Sequence, residues 1–213
     1  MRTDFRVVLE QMLQEPLPGF QAQKVMIPSG RDILPDDTIK KNAAVALLIF
    51  PGENEKREIV FIRRPEYNGP HSGQVSFPGG KMDPEDDNLL ETAIRECFEE
   101  IGVRLKSSDC VGSLSSLHIS ASGFLVHPYV FVLEKEPIFA KDDKEVMYLI
   151  RCSLEELTHD RLIKNTTLKI RNENIEVPYY DIQNEIVWGA TAIILAEFIY
   201  ILKRFEIKNP GLL

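Results

Sequence analysis

Apolar and polar residues follow one another along the chain in patterns that predict short strands and helices in close succession. Near the N-terminus, apolar residues recur at helical spacing and predict a helix over residues 3–14, which Pro16 ends. A continuous apolar run at 43–50 and a second run at 58–63 are short enough to be buried strands, and together they predict a hairpin. Residues 19–40, between the helix and the hairpin, lack such a pattern and are expected to be a covering loop.

The rest of the chain continues this mixture of elements. The patterns predict strands at 74–77, 109–117, 125–133 and 145–151, a short helix near 153–159, a hairpin of 167–171 and 174–180, and a last helix at 187–204. Because short strands and helices are interspersed, a mixed sheet between helical layers is expected, which is an α/β fold. We expect residues 1–213 to form a single domain, with 1–40 as its N-terminal helix and covering loop.

One further helix is bounded by clear signals at both ends. Asn88 with Glu91 resembles a capping box, and Gly102 fits a left-handed residue at the C-terminal end. An apolar stripe is predicted to run along this helix, made of Leu90, Ala93, Ile94, Cys97, Phe98 and Ile101. The sequence Pro78-Gly79-Gly80 upstream is expected to break the preceding strand in a turn.

The same helix carries a charge cluster that does not favour it. Glu96, Glu99 and Glu100 are expected within an arc of about 100° outside the apolar stripe. Their like-charge pairs each cost roughly 0.2–0.5 kcal/mol, and the helix dipole disfavours carboxylates in the last turns. A bound cation would account for the cluster, although a solvated acidic face is the alternative that these three residues leave open.

Oxygen ligands from clustered glutamates suit Mg²⁺ or Mn²⁺ better than zinc. Mg²⁺ in proteins usually also binds phosphate oxygens of the substrate. The cluster therefore indicates metal-assisted attack of water on a phosphate ester or anhydride.

Composition indicates which binding partners and which cellular compartment to expect. The formal net charge of −8 and the pI near 5.1 argue weakly against nucleic acid or an anionic membrane as the main partner. Cys97, Cys110 and Cys152 lack metal-ligand spacing and are expected to be reduced core residues of a cytoplasmic protein without a signal peptide. The longest apolar run, 186–202, is interrupted by Glu197 and is interpreted as a buried helix rather than a membrane span.

Residues 80–103 resemble a Nudix box. The run Arg95–Val103 matches the second half of the family pattern at every fixed position. The first half departs from it, because one extra residue lies between Gly80 and Arg95 and because an aspartate, either Asp86 or Asp87, stands where the family has its outlying glutamate.

The sequence before the box is similar to the upstream signature of one Nudix branch, the coenzyme A pyrophosphatases. Residues 71–80 read His-Ser-Gly-Gln-Val-Ser-Phe-Pro-Gly-Gly, and this branch shares the extra residue in its box. The preceding Ile-Arg-Arg at 62–64 differs from the usual run with Thr or Ser. Segments 123–128 and 186–192 are also similar, so the resemblance spans most of 17–202.

The resemblance implies a Nudix-type α/β/α sandwich with a central mixed sheet, acting as a pyrophosphohydrolase. Its substrate would be coenzyme A or a derivative, cleaved to 3′,5′-ADP and 4′-phosphopantetheine by in-line attack of a metal-oriented water. Glu96 and Glu100 would be the principal ligands of Mg²⁺ or Mn²⁺, with Glu99 next. Arg95 would orient a ligand carboxylate or balance the charge of the site, unless it only pairs with Glu91 on the helix surface.

The remaining candidates concern the substrate and the base. A polyanionic substrate needs local cations, and Arg63, Arg64, His71 and Lys81 are assigned to binding it. Gly79 and Gly80 are assigned to the same site, because glycine lets the backbone approach the pyrophosphate closely. Because neighbouring strand residues point to opposite faces, we expect only one of the two arginines to face the site. Glu145 is the first candidate for the general base, and the pair Glu155 and Glu156 is the second.

Two other functions are kept beside this one. The near alternative is a Nudix hydrolase for another nucleoside diphosphate, such as ADP-ribose or a dinucleotide, because the box reads only the pyrophosphate and the metal. The distant alternative is a Nudix-fold binding module without catalysis, although such a module would be expected to have lost box carboxylates. A homodimer is left open.

Overall fold

The computed structural model describes residues 4–28, 41–52, 56–66, 72–119, 122–170, 173–211 and 213. Its helices are α1 (Phe5–Gln14), α2 (Phe20–Gln23), α3 (Leu89–Ile101), α4 (Leu154–Leu157) and α5 (Gly189–Lys208). Its strands are β1 (Lys41–Pro51), β2 (Arg57–Arg63), β3 (Val75–Ser76), β4 (Gly79–Lys81), β5 (Cys110–Ser113), β6 (Leu117–Ile119), β7 (Phe124–Val132), β8 (Tyr148–Ser153), β9 (Ile163–Ile170), β10 (Glu173–Ile182) and β11 (Glu185–Val187).

The main sheet is mixed and is organised around β1. Its strands follow the order β3-β2-β1-β7-β5, while β4 pairs with β1, β6 with β7 and β8 with β2. Strands β1 and β7 are parallel, and the predicted hairpin of β1 and β2 is antiparallel. A smaller antiparallel sheet has the order β11-β10-β9.

The strand β1 separates two cores because its side chains alternate between the faces of the sheet. Leu48 and Phe50 pack with buried residues of α3, whereas Leu47 and Ile49 pack with α1 and α5. Helices therefore cover both faces of a mixed sheet, and the predicted α/β/α sandwich is confirmed.

The glycine pair after β3 differs from its prediction. Gly79 and Gly80 are not a simple turn but belong to β4, where they pair with Val45 and Ala44 of β1. A Cβ on Gly79 would lie 2.3 Å from the carbonyl oxygen of Ala44, and Gly79 has a φ of 152°. Only glycine allows this close approach, so the pair that reads as a strand break extends the sheet instead.

Other boundaries also differ from the patterns. Part of the expected covering loop forms α2 and a 3-10 turn at 24–26, while residues 29–40 lie outside the described residues. Glu173, expected in a turn, begins β10, and the short β11 was not predicted because its three residues precede the helix without a break in the apolar pattern. None of the helices that the structure describes is long and apolar enough to cross a membrane.

A buried carboxylate holds the N-terminal segment on α5. Glu197 is fully buried and accepts hydrogen bonds from the backbone N–H of Gly19, at 3.0 Å, and from Nε2 of Gln23, at 2.9 Å. The backbone N–H and the hydroxyl of Ser115 donate to the same carboxylate at 3.2 and 2.7 Å. Four donors thus compensate one buried charge and join α2, α5 and the chain before β6.

We predict that Glu197→Ala lowers the free energy of unfolding by about 2–4 kcal/mol, because buried donors lose their acceptor. Denaturant unfolding measures this. Glu206→Ala on the same helix is the control, with an expected change within about 0.5 kcal/mol. Equal effects of the two substitutions would contradict the role assigned to Glu197.

Candidate active site

The helix α3 forms where the sequence predicts it, with a cap at each end. The side-chain oxygen of Asn88 accepts hydrogen bonds from the N–H groups of Leu90 and Glu91, at 3.0 and 3.1 Å, and Gly102 takes the left-handed conformation. The Glu91 carboxylate contacts the hydroxyl of Ser107 at 3.4 Å rather than completing a capping box with Asn88. The helix packs on the sheet, but the face that it buries differs from the predicted apolar stripe. Phe98, a member of that stripe, is 40% exposed and lies beneath Arg104.

Glu100 is buried against the sheet rather than lying outside the apolar stripe. Only 1% of its side chain is exposed, and its carboxylate accepts the backbone N–H of Gly79 at 2.8 Å and Nη2 of Arg64 at 3.1 Å. Burial raises the pKa of Glu100 to about 8, against the lowering effects of Arg64 and the Gly79 N–H, and the charges of Glu96 and Glu145 add to the increase.

Glu96 lies beside Glu100 and against the glycine strand. Its side chain is 14% exposed, and Nη1 of Arg95 donates to it at 2.9 Å. A Cβ on Gly80 would lie 2.4 Å from Oε1 of Glu96, so the carboxylate occupies the space that the glycine leaves free. Burial raises the pKa of Glu96 as well, although Arg95 opposes the change.

Glu99 is placed differently from the other two carboxylates. It is 52% exposed, and it accepts a hydrogen bond from Nη1 of Arg95 at 2.9 Å. Within the part of the chain that the structure describes, no three His, Cys, Asp or Glu side chains are grouped closely enough to hold a metal ion. Glu96 and Glu100 lie against the glycine strand, whereas Glu99 lies at the exposed rim, and the predicted ligand set of these three residues stays a prediction.

The donor set still fits a hard cation. Its atoms are carboxylate oxygens, and the pKa values of Glu96 and Glu100 are both raised, which means that the surroundings do not fully compensate their charges. A divalent cation would favour the charged form of both groups.

Arg95 organises the first half of the box. Its Nε and Nη2 donate to the two carboxylate oxygens of Asp86 at 2.9 and 3.0 Å, and Nη2 also donates to the carbonyl oxygen of Lys81 at 3.1 Å. The side chain of Asp86 is 5% exposed, and hydrogen bonding to Arg95 holds its pKa well below the usual range. Asp87 is exposed, and Asp86 is the aspartate of the two that contacts Arg95. Arg95 does not simply pair with Glu91.

The two arginines at the end of β2 point to opposite faces. Ile59 and Phe61 pack in the core under α5, and Arg63 continues that row to donate to Glu185 of β11 at 2.8 Å. Arg64 lies on the α3 face beside Glu100 and also donates to the carbonyl oxygen of Gly79 at 3.2 Å. Arg64 therefore faces the carboxylates, whereas Arg63 is directed to the smaller sheet, and its role in substrate binding stays a prediction.

The remaining substrate candidates are less defined. The side chain of Lys81 is exposed, and the backbone carbonyl oxygen of Lys81 accepts a hydrogen bond from Arg95. His71 lies outside the described residues.

Glu145 is the candidate base that the structure brings to the site. It is exposed, and its charge contributes to the raised pKa values of Glu96 and Glu100. Glu155 and Glu156 lie on α4, which follows the end of β8 that pairs with Glu58. That end of β2 is about 17 Å from Arg63 along the strand, and Glu155 pairs there with Lys56. The geometry favours Glu145 over this pair.

Comparisons with known proteins identify the family of this chain. The Nudix domain family model matches residues 40–171. The chain is 31% identical over 195 residues to an uncharacterized Nudix hydrolase, NudL, of Yersinia pestis (strain Pestoides F), covering 89% of this chain and 94% of the relative. It is 36% identical over 141 residues to the NudL of Yersinia enterocolitica, covering 64% of this chain and 70% of the relative.

Among solved structures, a MutT/nudix family protein from Enterococcus faecalis superposes with a TM-score of 0.52 at 16% identity, covering 83% of this chain and 66% of that chain. This likeness supports the fold alone. The family match and the relatives together show that the chain belongs to the Nudix family. The predicted enzyme class, a Nudix pyrophosphohydrolase, is confirmed, and the predicted branch is consistent with the NudL relatives.

We predict that Gly80→Ala displaces the carboxylate of Glu96 and lowers kcat by roughly 100-fold, because its Cβ would occupy the position of Oε1. Gly52→Ala is a matched control at the far end of β1, where the new Cβ would meet the carboxyl group of Glu58 at 2.2 Å. The control should keep its activity, and steady-state kinetics with unfolding curves for both variants checks this. Equal loss in both variants would refute the site-specific explanation.

The two neighbouring arginines give a second matched pair. Arg64→Ala should lower kcat/KM by about 10- to 100-fold, because a charged hydrogen-bond donor is lost beside the carboxylates. Arg63→Ala should instead lower the free energy of unfolding by about 1 kcal/mol, through its lost pair with Glu185, and leave kcat/KM nearly unchanged. The reverse pattern would show that the faces are assigned wrongly.

Proposed function

We propose that this protein hydrolyses the pyrophosphate linkage of coenzyme A or a derivative, releasing 3′,5′-ADP and 4′-phosphopantetheine or its acyl form. The observation that carries the proposal is the contact between the two adjoining motifs. The segment that resembles the coenzyme A pyrophosphatase signature ends in β4, and Gly79 of that strand donates directly to Glu100 of the box. The signature is the part of the sequence that separates this substrate from other nucleoside diphosphates.

Nudix hydrolases generally need divalent metal ions such as Mg²⁺ or Mn²⁺. Glu96 and Glu100 would hold the cation here, with Glu99 contributing from the rim. A cation held there would supply positive charge that neutralises the phosphate oxygens of the substrate.

The side chains around the carboxylates bind and orient the substrate. Arg64 is 28% exposed, so its guanidinium can donate to a phosphate oxygen while it stays beside Glu100. Arg95 holds Glu96 and Asp86 together and so fixes the direction of the Glu96 carboxylate. Glu145 takes the proton of the attacking water, since it is exposed and close enough for its charge to raise the pKa values of Glu96 and Glu100.

The near alternative remains a Nudix hydrolase for ADP-ribose or a dinucleotide. It shares the box chemistry and differs only in what flanks the pyrophosphate. The cytoplasmic location, the single domain and the oligomeric state stay predictions.

The proposal is tested by incubating the protein with coenzyme A, ADP-ribose and dinucleotides in the presence of Mg²⁺ or Mn²⁺ and separating the products by chromatography. We expect the highest kcat/KM for coenzyme A or an acyl derivative. A higher kcat/KM for ADP-ribose or a dinucleotide would contradict the substrate assignment and favour the near alternative.

We predict that Glu100→Gln or Glu96→Gln lowers kcat on the best substrate by on the order of 1,000-fold, because several kcal/mol of charge stabilisation are lost. The fold should persist, since glutamine at position 100 can still accept the Gly79 N–H. Glu99→Gln should cost less than about tenfold, because Glu99 lies at the half-exposed rim. A near-normal rate in either of the first two variants would show that the assignment of the metal site is wrong.

A further inference from the structure

The segment 140–147 is attached at both ends to the elements that carry the site. At its start, the N–H of Ala140 donates to the carbonyl oxygen of Ile101 at 2.9 Å, and the N–H of Asp142 donates to that of Glu100 at 3.0 Å. At its end, the N–H of Met147 donates to the carbonyl oxygen of Arg63 at 2.8 Å. The segment thus bridges the C-terminal turn of α3 and the end of β2.

A turn centred on Asp142 sets the path of the chain inside this segment. The carbonyl oxygen of Asp142 accepts the N–H groups of Glu145 and Val146 at 3.1 and 2.8 Å. Its side-chain Oδ1 accepts the N–H of Lys144 at 2.9 Å. Asp142 therefore accepts three backbone N–H groups, while its own N–H donates to the last turn of α3.

The residues on either side of this turn place Glu145. Val146 is fully buried in the core under α3, and Nζ of Lys141 donates to its carbonyl oxygen at 3.1 Å. Glu145 is the exposed residue between the turn and this buried anchor. Its backbone is fixed although its side chain faces solvent.

We propose that Asp142 is a positioning residue, whose side chain holds the turn that aims Glu145 at the attacking water. This inference rests on the proposed function, in which Glu145 is the general base. A base must lie within hydrogen-bond reach of the proton that it takes, and a displacement of about 1 Å can cost as much as 100-fold in rate. The bond from Oδ1 of Asp142 to the N–H of Lys144 is the part of the turn that a side-chain substitution removes.

The test compares Asp142→Ala, which removes the acceptor, with Asp142→Asn, which keeps an oxygen acceptor and removes the charge. We expect Asp142→Ala to lower kcat by roughly tenfold with KM within about twofold of wild type, and Asp142→Asn to restore most of kcat. Asp109→Ala is the control, because the side chain of Asp109 also accepts a local backbone N–H, that of Lys106 at 2.8 Å, in the turn before β5. That variant should keep wild-type kinetics.

A double-mutant cycle shows whether Asp142 acts through Glu145. Glu145→Gln should lower kcat by about 100-fold or more, and adding Asp142→Ala to it should lower kcat no further. Multiplied losses in the double variant, or a loss in Asp142→Ala that Asp142→Asn does not restore, would overturn the inference.

The outcomes also separate this inference from the proposed function. If Glu145→Gln is impaired while Asp142→Ala turns over like wild type, the positioning role alone is wrong. If Glu145→Gln keeps the wild-type rate, the base assignment fails and the positioning role fails with it. Failure of the substrate assignment would be seen in the wild-type protein, and the cycle would then be measured on the substrate that is turned over.

Discussion

The burial of the Glu100 carboxylate is the constraint on which the rest of the site depends. Its two oxygens accept Gly79 of β4 and Arg64 at the end of β2, and its backbone carbonyl accepts the N–H of Asp142. One residue therefore holds together the helix, the glycine strand and the segment of the candidate base. A buried carboxylate is costly without partners, and the Gly79 N–H and the Arg64 guanidinium offset part of that cost.

The charge balance around Glu100 explains why the site is suited to a cation. Arg95 hydrogen-bonds to Asp86, Glu96 and Glu99 and lies 3.8 Å from the carboxylate of Asp83, so a single guanidinium pairs with four carboxylates. Burial nevertheless leaves the pKa values of Glu96 and Glu100 raised. Two carboxylates thus lie close together in a site largely shielded from solvent. This arrangement lowers the stability of the fold, and a divalent cation would offset that cost.

Much of this arrangement could be predicted from local signals. Asn88 and Gly102 mark the ends of α3, because each has the residue type that caps a helix at that end. The spacing of the glutamates in the box is read directly from the sequence. The rotation of the helix could not be predicted in this way. A helical projection places Glu100 outside the apolar stripe. In the structure Glu100 instead faces the strand of Gly79 and Gly80 and accepts the N–H of Gly79, a long-range contact that the projection does not contain.

The same limit applies to the neighbouring residues. Asp86 and Asp87 are equivalent in a sequence count, and only the bidentate contact with Arg95 distinguishes them. Alternation along β2 predicts that Arg63 and Arg64 diverge, but which of them meets the carboxylates depends on which core each face covers. The attachment of the Asp142 turn to α3 has no sequence signal, because it depends on a backbone bond to the end of a helix about forty residues earlier in the chain.

Direct titration of Mn²⁺ into the protein, followed by electron paramagnetic resonance, tests the central claim that Glu96 and Glu100 form a cation site. Wild-type protein should bind Mn²⁺, and Glu100→Gln or Glu96→Gln should weaken the binding by at least about tenfold. Glu155→Gln, at the opposite end of β2 and paired with Lys56, should leave it unchanged. Equal Mn²⁺ affinity in the wild-type, Glu96→Gln and Glu100→Gln proteins would contradict the account.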